Sequence, residues 1–119
     1  MAVPETVGNM RRKEAAMTEI KNWTNNSYRT ILVVNDEYPG DSFKITPRKT
    51  VQPRTTIPWQ GSKKYLYIAT GNSTFRYQEQ ENLIFGGPDN AKDELVAKCY
   101  PVMTVTVSED GTVTWAQQE

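Results

Sequence analysis

The sequence predicts an all-β fold, an antiparallel β-sandwich or a small closed barrel, and three observations carry that prediction. From residue 20 onward apolar residues recur with period two, in runs of four to eight. Gly, Pro, Asn and Asp clusters punctuate those runs at short intervals. Thr and Tyr are plentiful while aliphatic residues are modest in number, a balance suited to sheets with one wet face. At 119 residues the chain is expected to form one domain. It divides into an arm or marginal helix over residues 1–19 and a single sandwich over 20–119.

In the arm, Met10, Met17 and Ile20 would line one side of a helix starting after Asn9. Lys13 and Glu14 interrupt that stripe, and Arg11, Arg12 and Lys13 sit at the wrong end of the helix dipole. Ile31-Leu32-Val33-Val34 reads as a central strand buried on both faces. Residues 35–41 form a loop, after which Phe43 and Ile45 point inward until Pro47 ends the strand. Over 49–59, Val51, Ile57 and Trp59 share one side. Pro53 and Pro58 lack amide donors and make this an edge or interrupted strand.

Two hairpins are registered by their turns. A two-residue Gly71-Asn72 turn pairs Ile68 with Phe75 and Leu66 with Tyr77 on an apolar face. The other face then pairs Tyr67 with Arg76 and Tyr65 with Gln78. In the second hairpin a three-residue loop, Glu109-Asp110-Gly111, pairs Val107 with Val113 and Val105 with Trp115, with Gly111 left-handed. Between the hairpins, residues 86–90 read as a turn and residues 91–99 as one short helix capped by Asn90 and closed by Pro101.

Charge is segregated along the chain although the net charge is zero. Ser42 to Gln78 holds no acid and seven bases: Lys44, Arg48, Lys49, Arg54, Lys63, Lys64 and Arg76. From Glu79 onward eight acids face only Lys92 and Lys98. The basic block also carries Trp59, Tyr65, Tyr67, Phe75 and Tyr77, the composition of a surface that meets an anionic or sugar-like partner.

Other chemistry is scarce. With no His and one Cys, imidazole bases, Ser-His and Cys-His arrangements and an intrachain zinc site are excluded. Cys99 reads as a small buried thiol. No Walker, GxGxxG or GxSxG motif occurs, and no cofactor or metal is expected. Asp36, Glu37 and Asp41 beside Asn35 read as a solvated acidic turn in preference to a calcium loop. Glu79 and Glu81 could form a glycosidase-like pair with a distant acid, but read first as acids that keep a strand end soluble. Three glycosylation sequons begin at Asn22, Asn25 and Asn72, and carry little weight without a visible signal segment. No apolar run is long enough to cross a bilayer, and a cytoplasmic location is the default expectation.

The expected function is a non-enzymatic, lectin-like binding module. Its ligand would be a glycan or an anionic group, a phosphate or lipid head. Tyr65, Tyr67, Arg76 and Gln78 would hold it, with Trp59, Lys63 and Lys64 at the margin. Peripheral membrane contact is compatible with this reading, and nucleic acid is disfavoured by the neutral chain. The alternative is a self-assembling homo-oligomer that docks its basic and acidic surfaces, and a carboxylate-only hydrolase ranks below both.

Overall fold

The structure, a computed structural model, describes residues 19–117. The helix or arm expected over 1–19 therefore lies outside the described residues except for Glu19. The described chain is a β-sandwich. One sheet holds β1 (Glu19–Asn25), β4 (Lys49–Val51), β5 (Thr55–Thr56), β10 (Val102–Val107) and β11 (Val113–Gln117), in the order β11-β10-β1-β4 with β5 also on β1. The other holds β2 (Ile31–Asn35), β3 (Phe43–Ile45), β6 (Leu66–Ala69), β7 (Thr74–Gln80), β8 (Leu83–Pro88) and β9 (Glu94–Lys98), in the order β3-β2-β6-β7-β8-β9. Every neighbouring pair is antiparallel except β1 and β10, which lie parallel.

Both hairpins adopt the register that their turns dictate. Leu66 faces Tyr77, Tyr67 faces Arg76 and Ile68 faces Phe75. Thr70 N–H donates to the Ser73 carbonyl at 2.8 Å, leaving Gly71-Asn72 as the two-residue turn. Val105 faces Trp115 and Val107 faces Val113, and Gly111 takes φ +92°, the left-handed conformation that closes a three-residue loop. Ser108 Oγ and Thr112 N–H donate to Asp110 Oδ1, and the Ser108 hydroxyl, foremost, draws the Asp110 carboxyl down to about 2. Proline breaks the 49–59 strand as expected: β4 and β5 pair with opposite ends of β1, on either side of Pro53.

Two expectations are corrected. Residues 91–99 do not form a helix. Their central part is β9, paired with β8, a strand that takes in residues 86–88 of the expected turn and leaves the turn itself at Asp89 and Asn90. The cause is a tight turn at Glu81 and Asn82, both left-handed at φ 52° and 66°, which folds β8 back on β7. An Asn cap on a nine-residue helix is a weak signal, and the open edge of β8 offers residues 94–98 backbone partners along one side, with a bulge between Ile84 and Phe85. The second correction concerns β2. Ile31 and Val33 are fully buried, but Leu32 is 42% exposed, so this strand is covered on one face only.

The core fills the space between the sheets. Ile20, Trp23, Met103, Val105, Val107 and Trp115 come from one side, and Ile31, Val33, Leu66, Ile68, Tyr77 and Ile84 from the other. Each buried aliphatic side chain contributes about 1.5–3 kcal/mol. Trp23 meets Phe43 edge-on at 5.0 Å, and Tyr77 meets Trp115 at 4.9 Å.

Two asparagines, each with no exposed surface, tie the sheets together at opposite ends. Asn25 closes β1. Its Nδ2 donates to the carbonyls of Arg29, Ile45 and Thr46 at 2.7, 3.0 and 3.2 Å, and its Oδ1 accepts from Ser27 N–H and Oγ. Asn35 closes β2. Its Nδ2 donates to Thr55 Oγ1 and the Thr56 carbonyl, both at 3.0 Å, and its Oδ1 accepts from the amides of Glu37 and Tyr38. Thus Asn25 reaches from the first sheet to the end of β3, and Asn35 from the second sheet to β5. Because these amides are spent internally, Asn25 is no glycan acceptor in the folded chain, and Asn35 offers nothing to a cation.

Truncating either asparagine strands several buried polar groups. Asn25→Ala and Asn35→Ala are each expected to lower unfolding free energy by about 2–4 kcal/mol. Asn72→Ala, at an exposed turn, should stay within about 0.5 kcal/mol. Urea midpoints at constant m-value check this, and a loss at Asn25 or Asn35 no larger than at Asn72 would refute the pinning role.

Candidate functional site

The register of β6 and β7 decides what stands on the outer face of the six-stranded sheet. Tyr67 and Arg76 pair directly, Tyr65 precedes β6, and Gln78 lies two residues beyond Arg76. All four side chains are half-buried. Arg76 Nε donates to Asp93 Oδ1 at 3.0 Å, and Arg76 Nη2 reaches the Ala91 carbonyl at 3.5 Å. Tyr65 Oη donates to Asp93 Oδ2 at 3.3 Å. The guanidinium lies 4.8 Å from the centre of the Tyr65 ring, and the rings of Tyr65 and Tyr67 are 5.9 Å apart at 52°. One carboxylate, one guanidinium and two phenol rings thus form a single contact set.

Asp93 is the residue that sequence reading missed as part of this face. Its position favoured a role at the start of a helix. Instead the segment between β8 and β9 crosses the sheet and sets Asp93 against Arg76, with the two side chains 25% and 28% exposed. This contact goes with two features of the face. Arg76 is half-covered rather than freely exposed, and its cation–π partner is Tyr65, on the diagonal, rather than Tyr67 directly opposite. Phe75, assigned to the core face, packs against the core while remaining partly accessible, whereas Ile68 is fully buried.

The electrostatics follow from this packing. The hydrogen bond that Arg76 donates to Asp93, foremost, holds the Arg76 guanidinium above its ordinary range. Burial, then the Asp93 carboxylate, pushes the Tyr65 phenol up, while Arg76 opposes that shift. Gln78 Nε2 donates to the Lys64 carbonyl at 2.9 Å and so anchors the segment leading into β6.

The marginal residues separate. Lys63 and Lys64 are exposed, with Lys63 left-handed (φ 61°) at the end of a short 3-10 turn over Gln60–Ser62. Trp59 is 48% exposed. Its indole lies on Gly61, where a Cβ would meet the ring and displace it. No ring contact joins Trp59 to Tyr65 or Tyr67 among the described residues. On the far side of the face, Gln78 is flanked by Phe85 and then Leu95, which is 59% exposed. An open cleft of about 350 Å³ lies at one end, lined by Ala69, Asn72, Ser73, Thr74, Asp89 and Asn90 among others.

The carboxylates at the end of β7 do not share this surface. Glu79 is buried, and Glu81 is exposed in the tight turn. Among the described residues no three His, Cys, Asp or Glu side chains are grouped to hold a metal ion, and no helix is long and apolar enough to cross a membrane. No protein-family model, curated protein or solved structure matches this chain.

Asp93 raises the Tyr65 phenol, whereas Arg76 lowers it. Asp93→Ala should therefore move Tyr65 ionisation to lower pH, because the raising carboxylate is removed and the lowering cation remains. Carbon-13 tyrosine NMR across an alkaline titration reads this shift. An unchanged Tyr65 titration in the variant would show that the contact set does not persist in solution.

Proposed function

We propose that the chain is a non-enzymatic, lectin-like module whose outer six-stranded face binds a neutral glycan. The observation that carries this reading is the Arg76–Asp93 pair set beside Tyr65 and Tyr67. Sugar recognition needs a ring face for the C–H surface of the sugar, and fixed donors and acceptors for its hydroxyls. Tyr67 and Tyr65 supply the first. Arg76, with N–H groups left over, and Asp93, with lone pairs left over, supply the second. The two side chains restrain each other, so less rotamer entropy remains to be lost when a ligand binds.

The same pair argues against a phosphate or a lipid head as the main ligand. An anion would compete with Asp93 for Arg76 and would lie close to its carboxylate. Lys63 and Lys64 remain as an exposed basic margin, which suits weak steering better than a dedicated anion site.

Glycan-array binding followed by calorimetric titration tests the reading. Tyr67→Ala and Arg76→Ala should each weaken binding at least about tenfold, ~1.4 kcal/mol. The affinity of the unmodified protein should change little between low and high salt, as a neutral ligand requires. Binding unaffected by both substitutions would remove this site from consideration, and a steep loss with salt would favour an anionic ligand.

One observation favours self-association as a second reading. Edge strand β9 exposes Leu95 and Val96, at 59% and 37%, and hydrophobic edges invite pairing. Sedimentation over a range of concentration and salt separates the two. A monomer throughout counts against assembly, and a dimer abolished by Leu95→Lys supports it.

A further inference from the structure

The aromatic face and the polar cleft lie in one line on the same sheet surface. Tyr67–Arg76 is one cross-strand pair, and the next outward-facing pair along the same two strands is Ala69–Thr74, which lines the cleft. Two residues along a strand advance about 7 Å, so cleft and rings are neighbours. The end of β8 and the segment after it border both. Pro88, Asp89 and Asn90 wall the cleft, while Ala91 and Asp93, further along, receive the Arg76 hydrogen bonds. This segment is fastened at its start, where Asp89 N–H donates to the Thr74 carbonyl at 2.9 Å and Ala91 N–H to that of Pro88 at 3.1 Å. Directly opposite Arg76 stands Gly87, and the space its side chain would occupy is open. The surface from Arg76 toward the cleft is thus not blocked by a side chain at that position.

The cleft differs in chemistry from the rings. Asn72, Ser73 and Thr74 come from one wall and Asp89 and Asn90 from the other, so its polar side chains are amides, hydroxyls and one carboxylate, with no lysine or arginine in the lining. Such a lining offers both donors and acceptors and disfavours anions. Its volume of about 350 Å³ falls at the lower end of small-ligand sites.

We infer that the cleft is a second saccharide subsite, so that the module takes a neutral oligosaccharide of at least two units, one against Tyr65 and Tyr67 and the next between Asn72 and Asp89. This inference rests on the neutral-glycan reading of the aromatic face and specifies the length and direction of its ligand. The terminus of the glycan lies toward one end of the sheet, and the chain runs along β6 and β7 rather than across the strands.

Calorimetric titration with neutral gluco-, manno- and N-acetylglucosamine oligosaccharides of one to four units tests it. In the series that binds, affinity should rise at least about tenfold from one unit to two. Asn72→Ala with Asp89→Asn should erase that gain and leave binding of the single sugar unchanged. Both side chains are exposed, so the variant is expected to fold, and its urea midpoint verifies this. Affinity that is flat with length, or a gain that survives the double substitution, overturns the second subsite while binding lost in Tyr67→Ala leaves the aromatic site standing. If no oligosaccharide of any length binds, the subsite and the neutral-glycan reading fail together.

Discussion

The sandwich depends on two buried side-chain amides. Asn25 and Asn35 end their strands where the chain leaves the ladder, Asn25 before the crossing to the second sheet and Asn35 before the loop to β3 of the same sheet, and such exits leave backbone carbonyls and amides without ladder partners. Each asparagine supplies both kinds of partner from one planar group. Asn25 gathers the carbonyls that close the 25–29 turn and the end of β3, and Asn35 gathers the amides that open the 36–41 loop and the backbone of β5. Apolar packing between the sheets is large in sum but non-directional. The amides fix the alignment of one sheet on the other, because a slide would break several buried hydrogen bonds at once.

That alignment carries through to the outer surface. Tyr77 lies buried on β7 against Trp115 of the opposite sheet. With Tyr77 inward, the pleat turns its neighbours Arg76 and Gln78 outward. Arg76 then finds Asp93, seventeen residues away, only because β8 and β9 follow β7 in the sheet and carry the intervening segment back across the face. A face that would otherwise be basic becomes a neutral, hydrogen-bonded one. The proposed ligand chemistry follows from this neutralisation more than from the aromatic content.

Legibility varied with the locality of the cause. Gly71-Asn72 and Glu109-Asp110-Gly111 are turns whose residue types specify their geometry, so both hairpin registers and the inward or outward sense of Tyr67, Tyr77, Val105 and Trp115 could be read directly. Pro53 announced the broken strand for an equally local reason, a missing amide. Glu81-Asn82 gave no such sign. A glutamate in a left-handed turn is held there by the strands on either side, not by its own preference, so β8 was hidden and β9 with it.

By itself the sequence determined the all-β class, the two registered hairpins, the aromatic-basic composition of one hairpin face and the absence of imidazole chemistry. These are properties of period, turn type and residue inventory, which act over a few residues. Tertiary structure alone decided that residues 94–98 are a strand, that β2 is wet on one side, that Asn25 and Asn35 are pins, and that Asp93 rather than solvent meets Arg76. Each of these is settled by what another strand or loop does or does not bring as a partner, whether an unpaired sheet edge, a stranded carbonyl or an unmatched charge. No local preference encodes such a partner, and only the folded chain brings it within reach.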